Sequence, residues 1–321
     1  MPTFLPLRTF GKTRLRVTPL CIGCAPLGNM PEAFSYEVAE DQALATLRAC
    51  FQAPINFLDT AASYGNGESE RRIGLVLGEL GGVPHGYFIA SKADRDFKTG
   101  DFSGDQIKRS VERSLKLLGV EKIPIMHLHD PEHAPFEKIM AKGGAVDVLT
   151  QFKDQGVIGH IGLAGGPTEL MMRYLDEGMF EAVITHNRYT LINRSAEPLL
   201  DKATKMGIAI LNAAPYGSGI LAKGPDAYPR YAYQEADALT LDRVRKMDDI
   251  CKKHKVPLAA AALQFSMRDP RITSTIIGLS KAERLQQTIE LAHTPIPNAV
   301  WPLLDAVGFS TEDPEANRWK S

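Results

Sequence analysis

Apolar residues in this chain gather into eight short runs, each bounded by turn-forming residues and each followed by a stretch of different periodicity. The runs are LCIG from Leu20, INFL from Ile55, YFIAS from Tyr87, PIMHLH from Pro124, HIGLAG from His160, AVITH from Ala182, IAILNA from Ile208 and STIIG from Ser274. Most are apolar at successive positions, the pattern of strands buried on both faces. Between them EDQALATLRACF, GDQIKRSVERSLKLLG and AEPLLDKATKMG carry apolar residues at helical spacing, and several such stretches close on glycine. Strand followed by helix, repeated about eight times, predicts an α/β chain folded as a (β/α)8 barrel. Ahead of it LPLRTFGKTRLRVTPLCIG reads as two extended pieces joined at Gly11-Lys12, an N-terminal β-hairpin.

A doubly wound sheet would need a glycine fingerprint directly after the first strand. GNGESERRIG has the first two glycines but Glu70 where the third belongs, and it is expected to follow an acid as a turn rather than open a helix. Two connections are long, 92–103 and 221–239. Both follow strands, so in a barrel they lie over the active face. The second contains Tyr228, Tyr231 and Tyr233, which suit either ring stacking or plain anchoring of the loop.

Composition narrows the partners. The chain has 321 residues, 44% hydrophobic, enough for one large barrel domain over 1–321. A net charge of -1, with Lys and Arg scattered among acids, offers no basic stripe, so no nucleic acid is expected. No apolar run approaches the roughly 18 residues of a spanning helix, and MPTFLPLRTF lacks a basic n-region and a continuous apolar h-region. A cytoplasmic protein without a membrane partner is the expectation. Four cysteines are too few for a disulfide framework, and extended geometry points Cys21 and Cys24 of CIGC to opposite faces, so they read as structural thiols.

The carboxyl ends of the predicted strands carry the chemistry. Asp59 follows the second, Lys92 the third, His129 ends the fourth, and His186 with Asn187 closes the sixth. Tyr64 lies just past Asp59. An ammonium beside a phenol is expected to lower its pKa from about 10, and a carboxylate to hold that ammonium in place. Tyr, Lys, Asp and His together make a proton-transfer set for an alcohol or carbonyl oxygen, and hydride chemistry would call for a nicotinamide. A phosphate site is expected after the last two strands, at Tyr216-Gly217-Ser218-Gly219 and at Gly278 to Arg284, with Ser280 as helix N-cap and Lys281 and Arg284 as cations.

Each residue has a plainer reading: Asp59-Thr60 as a polar turn, Ser280 as only a cap, Lys92 as a surface charge. His127 and His129 share a strand face and, with His186 and Asp59, would suit a metallohydrolase. The joint placement of these groups at successive strand ends favours proton transfer, with no metal expected.

These residues resemble the aldo-keto reductase family across nearly the whole chain. The likeness is carried by Asp59 in FLDTAASYG, Tyr64 with GxGxSE after it, Lys92 in IASK, His129 in HLHDPE, then GVIGHIGLAGG, YTLINR, GSGIL and IIGLSKAERL. APLGN, HDP and HNRY are similar to the aldose 1-dehydrogenase branch, which acts on L-galactose, L-fucose or D-threo-aldoses. The resemblance implies oxidation of a cyclic sugar at C1 to a lactone, with Tyr64 taking the hydroxyl proton. It assigns Asp59 and Lys92 to tuning the phenol, and His129 to holding the substrate, with Asp130 as a further contact to sugar hydroxyls.

The resemblance also brings a cofactor, and the chain departs from the family there. The Ser-Asn pair that usually holds the carboxamide is Ala164-Gly165, the usual Gln falls at His186 or Asn187, and the stacking Tyr appears as Ala213, with Tyr216 close enough to substitute. Gly278 stands where a lysine often meets the 2′-phosphate, which favours NAD, while Arg284 keeps NADP as the second option. Asp59, Gly217, Ser218, Gly219 and Ser280 complete the expected cofactor contacts. A pyridoxal-type aldehyde or alcohol is the alternative substrate, and a monomer or small homo-oligomer the expected state.

Overall fold

Each of the eight apolar runs supplies a parallel strand of one closed barrel. The computed structural model describes residues 5–316, so the first four residues of the MPTFLPLRTF opening lie outside it. An antiparallel hairpin, β1 (Arg8–Thr9) and β2 (Arg16–Val17), precedes the barrel. The barrel strands are β3 (Leu20–Gly23), β4 (Phe57–Asp59), β5 (Phe88–Ala93), β6 (Ile123–His129), β7 (Ile158–Ala164), β8 (Ala182–His186) and β9 (Ala209–Ala213). A small hairpin, β10 (Arg230–Tyr231) and β11 (Gln234–Glu235), comes before the last barrel strand, β12 (Ser274–Gly278), which closes the ring between β9 and β3.

The strands are apolar on both sides because each side meets a different core. Cys21, Phe57, Ala90, Ile125, Ala182, Ile184, Leu211 and Ile276 fill the lumen. Phe10 and Val17 of the hairpin join this cluster, and Phe10 meets Phe57 edge to face at 5.9 Å. Their neighbours one position on, such as Ile22, Leu58, Ile89 and Met126, pack outward under the helices. Cys21 therefore lies inside the barrel and Cys24 outside it, both as free buried thiols, as the extended reading of CIGC requires.

The helices follow their sequence signals closely. Helix Gly104–Leu118 starts at Ser103, whose side chain accepts the Gln106 N–H, and ends at left-handed Gly119. Helix Glu197–Met206 likewise ends at left-handed Gly207. GNGESERRIG corrects one expectation, for it does open a helix, Glu68–Leu80. Its first turn buries Ser69 and Glu70: Ser69 Oγ donates to the Cys24 carbonyl and Ser91 Oγ donates to Glu70 at 2.5 Å. The long segment after β9 is also structured, with a short helix Ile220–Lys223 ahead of the β10–β11 hairpin and helix Ala238–Lys253 after it. No helix among the described residues is long and apolar enough to cross a membrane.

Candidate active site

Strand alternation builds the site. Along β4 the lumen side reads Phe57 then Asp59, along β5 Phe88, Ala90, Lys92, and along β6 Ile125, His127, His129. The inward positions become polar only at the carboxyl ends, so the groups expected from the sequence converge on one mouth. Lys92 Nζ lies 2.5 Å from Asp59 Oδ2, 2.8 Å from the Thr60 carbonyl and 3.0 Å from Tyr64 Oη. Tyr64 meets the His129 ring edge to face at 5.9 Å.

Tyr64 is held by backbone packing as well as by Lys92. Gly65 has φ +59, and a Cβ there would stand 1.8 Å from the Gly28 carbonyl oxygen, so the Tyr64 turn can sit on the loop after β3 only with glycine at 65. Gly67, at φ +91, packs against the Arg113 guanidinium in the same way. These glycines shape the tyrosine turn, and Glu70 fills the place where a third fingerprint glycine would stand.

Electrostatics correct a second expectation. Burial raises the Tyr64 phenol above its ordinary range, and Lys92, acting in the opposite sense, does not overcome it. Burial pulls on the Lys92 ammonium, but Asp59 and Tyr64 outweigh it and hold the charge firmly in place. Tyr64 is thus a protonated phenol bonded to a fixed cation. His129 moves upward too: burial lowers its imidazole, yet Asp130 and Asp94 prevail and set it at about 8.

The structure adds Asp94 to these residues. It is buried, and its Oδ1 lies 2.6 Å from His129 Nδ1. The signal for it was the alternation of β5 itself, since the inward stripe Ala90, Lys92 continues to Asp94. Asp130, at φ +46, stands with Oδ1 3.6 Å from His129 Nε2, and His129 and His186 draw its carboxyl below the ordinary value despite burial.

His127 shares the inward face with His129, but it is fully buried, packs on Gly162, and is driven far below its ordinary pKa by burial. Among the described residues no group of three or more His, Cys, Asp or Glu is placed to hold a metal.

The cofactor candidates separate into those that meet and those that do not. Asn187 is fully buried at φ +58, and its Oδ1 accepts from Ser218 Oγ at 3.2 Å, which joins the end of β8 to the Gly217–Gly219 turn. His186 is turned to the C-terminal segment, with Nε2 2.9 Å from Glu315. Arg284 is exposed and acts electrostatically on both Tyr216 and Tyr36, while Tyr36 is hydrogen-bonded to Ser280. The two phosphate candidates follow β9 and β12, which are neighbours in the barrel. Ser280 is not the helix cap: Lys281 holds that position before helix Ala282–His293, and the Ser280 carbonyl accepts from Gln42. Gly278 ends β12 exposed beside Pro26.

Two of the three loop tyrosines pack into the fold. Tyr231 is buried and donates to the Asn187 carbonyl at 2.5 Å, and Tyr228 covers Gly219 with Lys223 over its ring at 4.6 Å. Tyr233 is exposed. The side chain missing at Gly165 is replaced from another loop: Glu132 Oε2 would lie 2.8 Å from a Cβ there, and Glu132 Oε1 accepts the Gly166 N–H. Burial lifts this carboxyl to about 7.

A dinucleotide fits this donor set. Asn187 Nδ2 and Tyr216 Oη are buried and have no hydrogen-bond partner among the described residues, and they flank the Gly217–Gly219 turn. Asn187 would hold an amide, Tyr216 an aromatic ring, and Arg284 with Lys281 a phosphate.

A closed eight-stranded barrel with Asp, Lys, Tyr and His at its carboxyl-end mouth is the frame of an oxidoreductase. The chain belongs to the aldo/keto reductase family, which it matches over residues 19–308. Enzymes of this family use NAD(P)H. It is 30% identical to a D-threo-aldose 1-dehydrogenase of Pseudomonas sp, over 89% of this chain and 93% of that one. It is 28% identical to a pyridoxal 4-dehydrogenase of Microbacterium luteolum, over 94% and 97%. Its fold is that of the aldo-keto reductase AKR11C1 from Bacillus halodurans, solved in holo form, with TM-score 0.78, 20% identity, and 98% and 99% of the two chains covered.

Proposed function

We propose that this protein oxidises a cyclic aldose at C1 to the lactone, with NAD+ preferred over NADP+. The observation that carries this reading is the contact chain Asp59–Lys92–Tyr64, with His129 edge-on to the phenol. Asp59 and the Thr60 carbonyl fix Lys92, and Lys92 hydrogen-bonds the Tyr64 oxygen, the group assigned to exchange a proton with the anomeric hydroxyl. The buried phenol is held protonated, so in the oxidising direction it must first lose its proton, a step the adjacent ammonium favours. His129 and Asp130 offer a donor and an acceptor to a polyhydroxylated ring, which supports a sugar over an apolar alcohol. A bound nicotinamide would supply the hydride acceptor. Asn187, Tyr216, Gly217–Gly219, Lys281 and Arg284 are assigned to hold it, and the absence of a cation at Gly278 supports NAD+.

Pyridoxal or a similar aromatic substrate is the second reading, favoured by the 28% identity to a pyridoxal dehydrogenase. A panel of aldoses and pyridoxal with NAD+ and NADP+, followed by nicotinamide absorbance, decides between them. Turnover of pyridoxal well above every aldose would overturn the sugar reading. Tyr64→Phe should reduce kcat by at least about 10²-fold with nucleotide binding retained; unchanged turnover would remove Tyr64 from its role.

A further inference from the structure

We propose that Asp94 is a positioning residue, fixing the His129 ring so that Nδ1–H faces the carboxylate and Nε2 faces the substrate, and tying that ring to the Tyr64 turn. This rests on the reading above in which His129 holds the reacting hydroxyl, and it adds a residue that the strand-end tetrad does not contain.

The backbone places Asp94 for this task. β5 and β6 pair Lys92 with His127 and Ala93 with Leu128, so continuing the register sets Asp94 opposite His129. Both lie on the inward stripe, one strand apart. Asp94 Oδ1 is 2.6 Å from His129 Nδ1, and Oδ2 accepts the Ser63 N–H at 2.9 Å, directly before Tyr64. Its own backbone is held on both sides: the Asp94 N–H donates to Ser110 Oγ, and its carbonyl accepts from Gln106. One buried carboxylate thus links the two groups that must reach the same substrate oxygen.

The chemistry follows from what a carboxylate can do. It only accepts, so Nδ1 must carry a hydrogen. A neutral His129 in that tautomer presents a lone pair at Nε2, whereas a protonated one presents a donor. The titratable groups facing the ring are Asp94 and Lys92 from β5 and its extension, Asp59 from β4, Tyr64 from the following turn, His127 and Asp130 from its own strand and loop, and His186 from β8 beyond Asp130. Asp130 and Asp94 favour the proton, and Lys92 opposes it. With Asp94 in place the ring donates at neutral pH, and a donor at Nε2 stabilises negative charge growing on the substrate oxygen. Removing the Asp94 charge should leave a larger share of His129 as an acceptor at the same pH, with Asp130 still favouring the proton.

The test uses the full chain without substrate. Histidine labelled with 15N reports the tautomer and titration of His129, assigned by its loss in His129→Gln. In the parent, the ring should titrate near 8 and lose its proton from Nε2, leaving Nδ1–H above that pH. Asp94→Asn should bring the midpoint down by about one pH unit or more, and Asp94→Glu should restore part of it. In turnover with an aldose, Asp94→Asn should lower kcat about tenfold while the KM for NAD+ stays unchanged, and shift the pH profile the same way. An Nε2–H tautomer in the parent overturns the proposal even if Asp94→Asn fails to fold. So does an unchanged His129 midpoint in a folded Asp94→Asn. Because the spectra need no substrate, failure of every aldose with the expected tautomer and midpoint present would count against the proposed function, leaving the pairing of Asp94 with His129 established.

Discussion

Gly65 shows how a residue without a side chain can decide where a reactive one goes. In the sequence it belongs to an incomplete glycine fingerprint that reads as a turn; the fold sets it against the Gly28 carbonyl, and Tyr64 sits where it does because no Cβ intervenes. Gly65→Ala should cost about 1–2 kcal/mol from its left-handed backbone alone, before the clash is relieved. The clash would push Tyr64 away from Lys92, so kcat/KM should fall by about tenfold or more, and comparison of steady-state kinetics with the thermal midpoint would separate the two effects. Asp59, Tyr64, Lys92 and His129 were legible because each ends or follows an apolar run. Asp94 carries the inward alternation one step past the end of β5, but its partner His129 becomes visible only once β5 and β6 are in register.

At the scale of elements, all eight strands and the capped helices were readable from periodicity, since a buried strand and an amphipathic helix leave different patterns. The helix at Glu68–Leu80 escaped because its start is a left-handed glycine, without a side-chain cap to announce it. Its first turn carries a pH-dependent joint. Burial lifts Glu70 to about 7, against the downward pull of Ser91 and Ser114, so the folded state favours the neutral acid. The sign follows from that: the contribution is fully present below the ordinary carboxyl pKa near 4.5 and is lost as pH rises to about 7. The loss is on the order of 3 kcal/mol. Glu70→Gln keeps a partner for Ser91 and cannot ionise, so its urea midpoint should decline less from pH 5 to 8 than the parent's, the remainder coming from Glu132 and His129. A decline of equal size in both would remove Glu70 as the cause.

Over the whole molecule, the C-terminal segment packs against the end of β8 and the loop that follows it. Glu315 is fully buried between His186 and Arg188, and Asp313 makes a second pair with Arg188, which is itself fully buried. Asn193 holds the Glu312 carbonyl and Gln234 of β11 holds that of Pro314, so tail, β8 loop and β10–β11 hairpin form one wall. Glu315→Ala removes one of the two carboxylates on a buried guanidinium and should destabilise by about 3 kcal/mol, read as a lower urea midpoint. A loss within the scatter of surface substitutions would show the pair to be dispensable.

The chain's order of apolar runs, its helix periods and the polar residues that end the runs determined the barrel and most of its mouth. That information is local: a strand's two faces and its end are written in consecutive residues. Only the tertiary structure decided that Glu132 fills the space at Gly165, that Glu315 takes His186, that Asn187 joins the glycine turn, and that Asp94 turns His129. Those partners lie tens of residues or more apart, and what brings them together is strand register and loop closure, which no single stretch of sequence records.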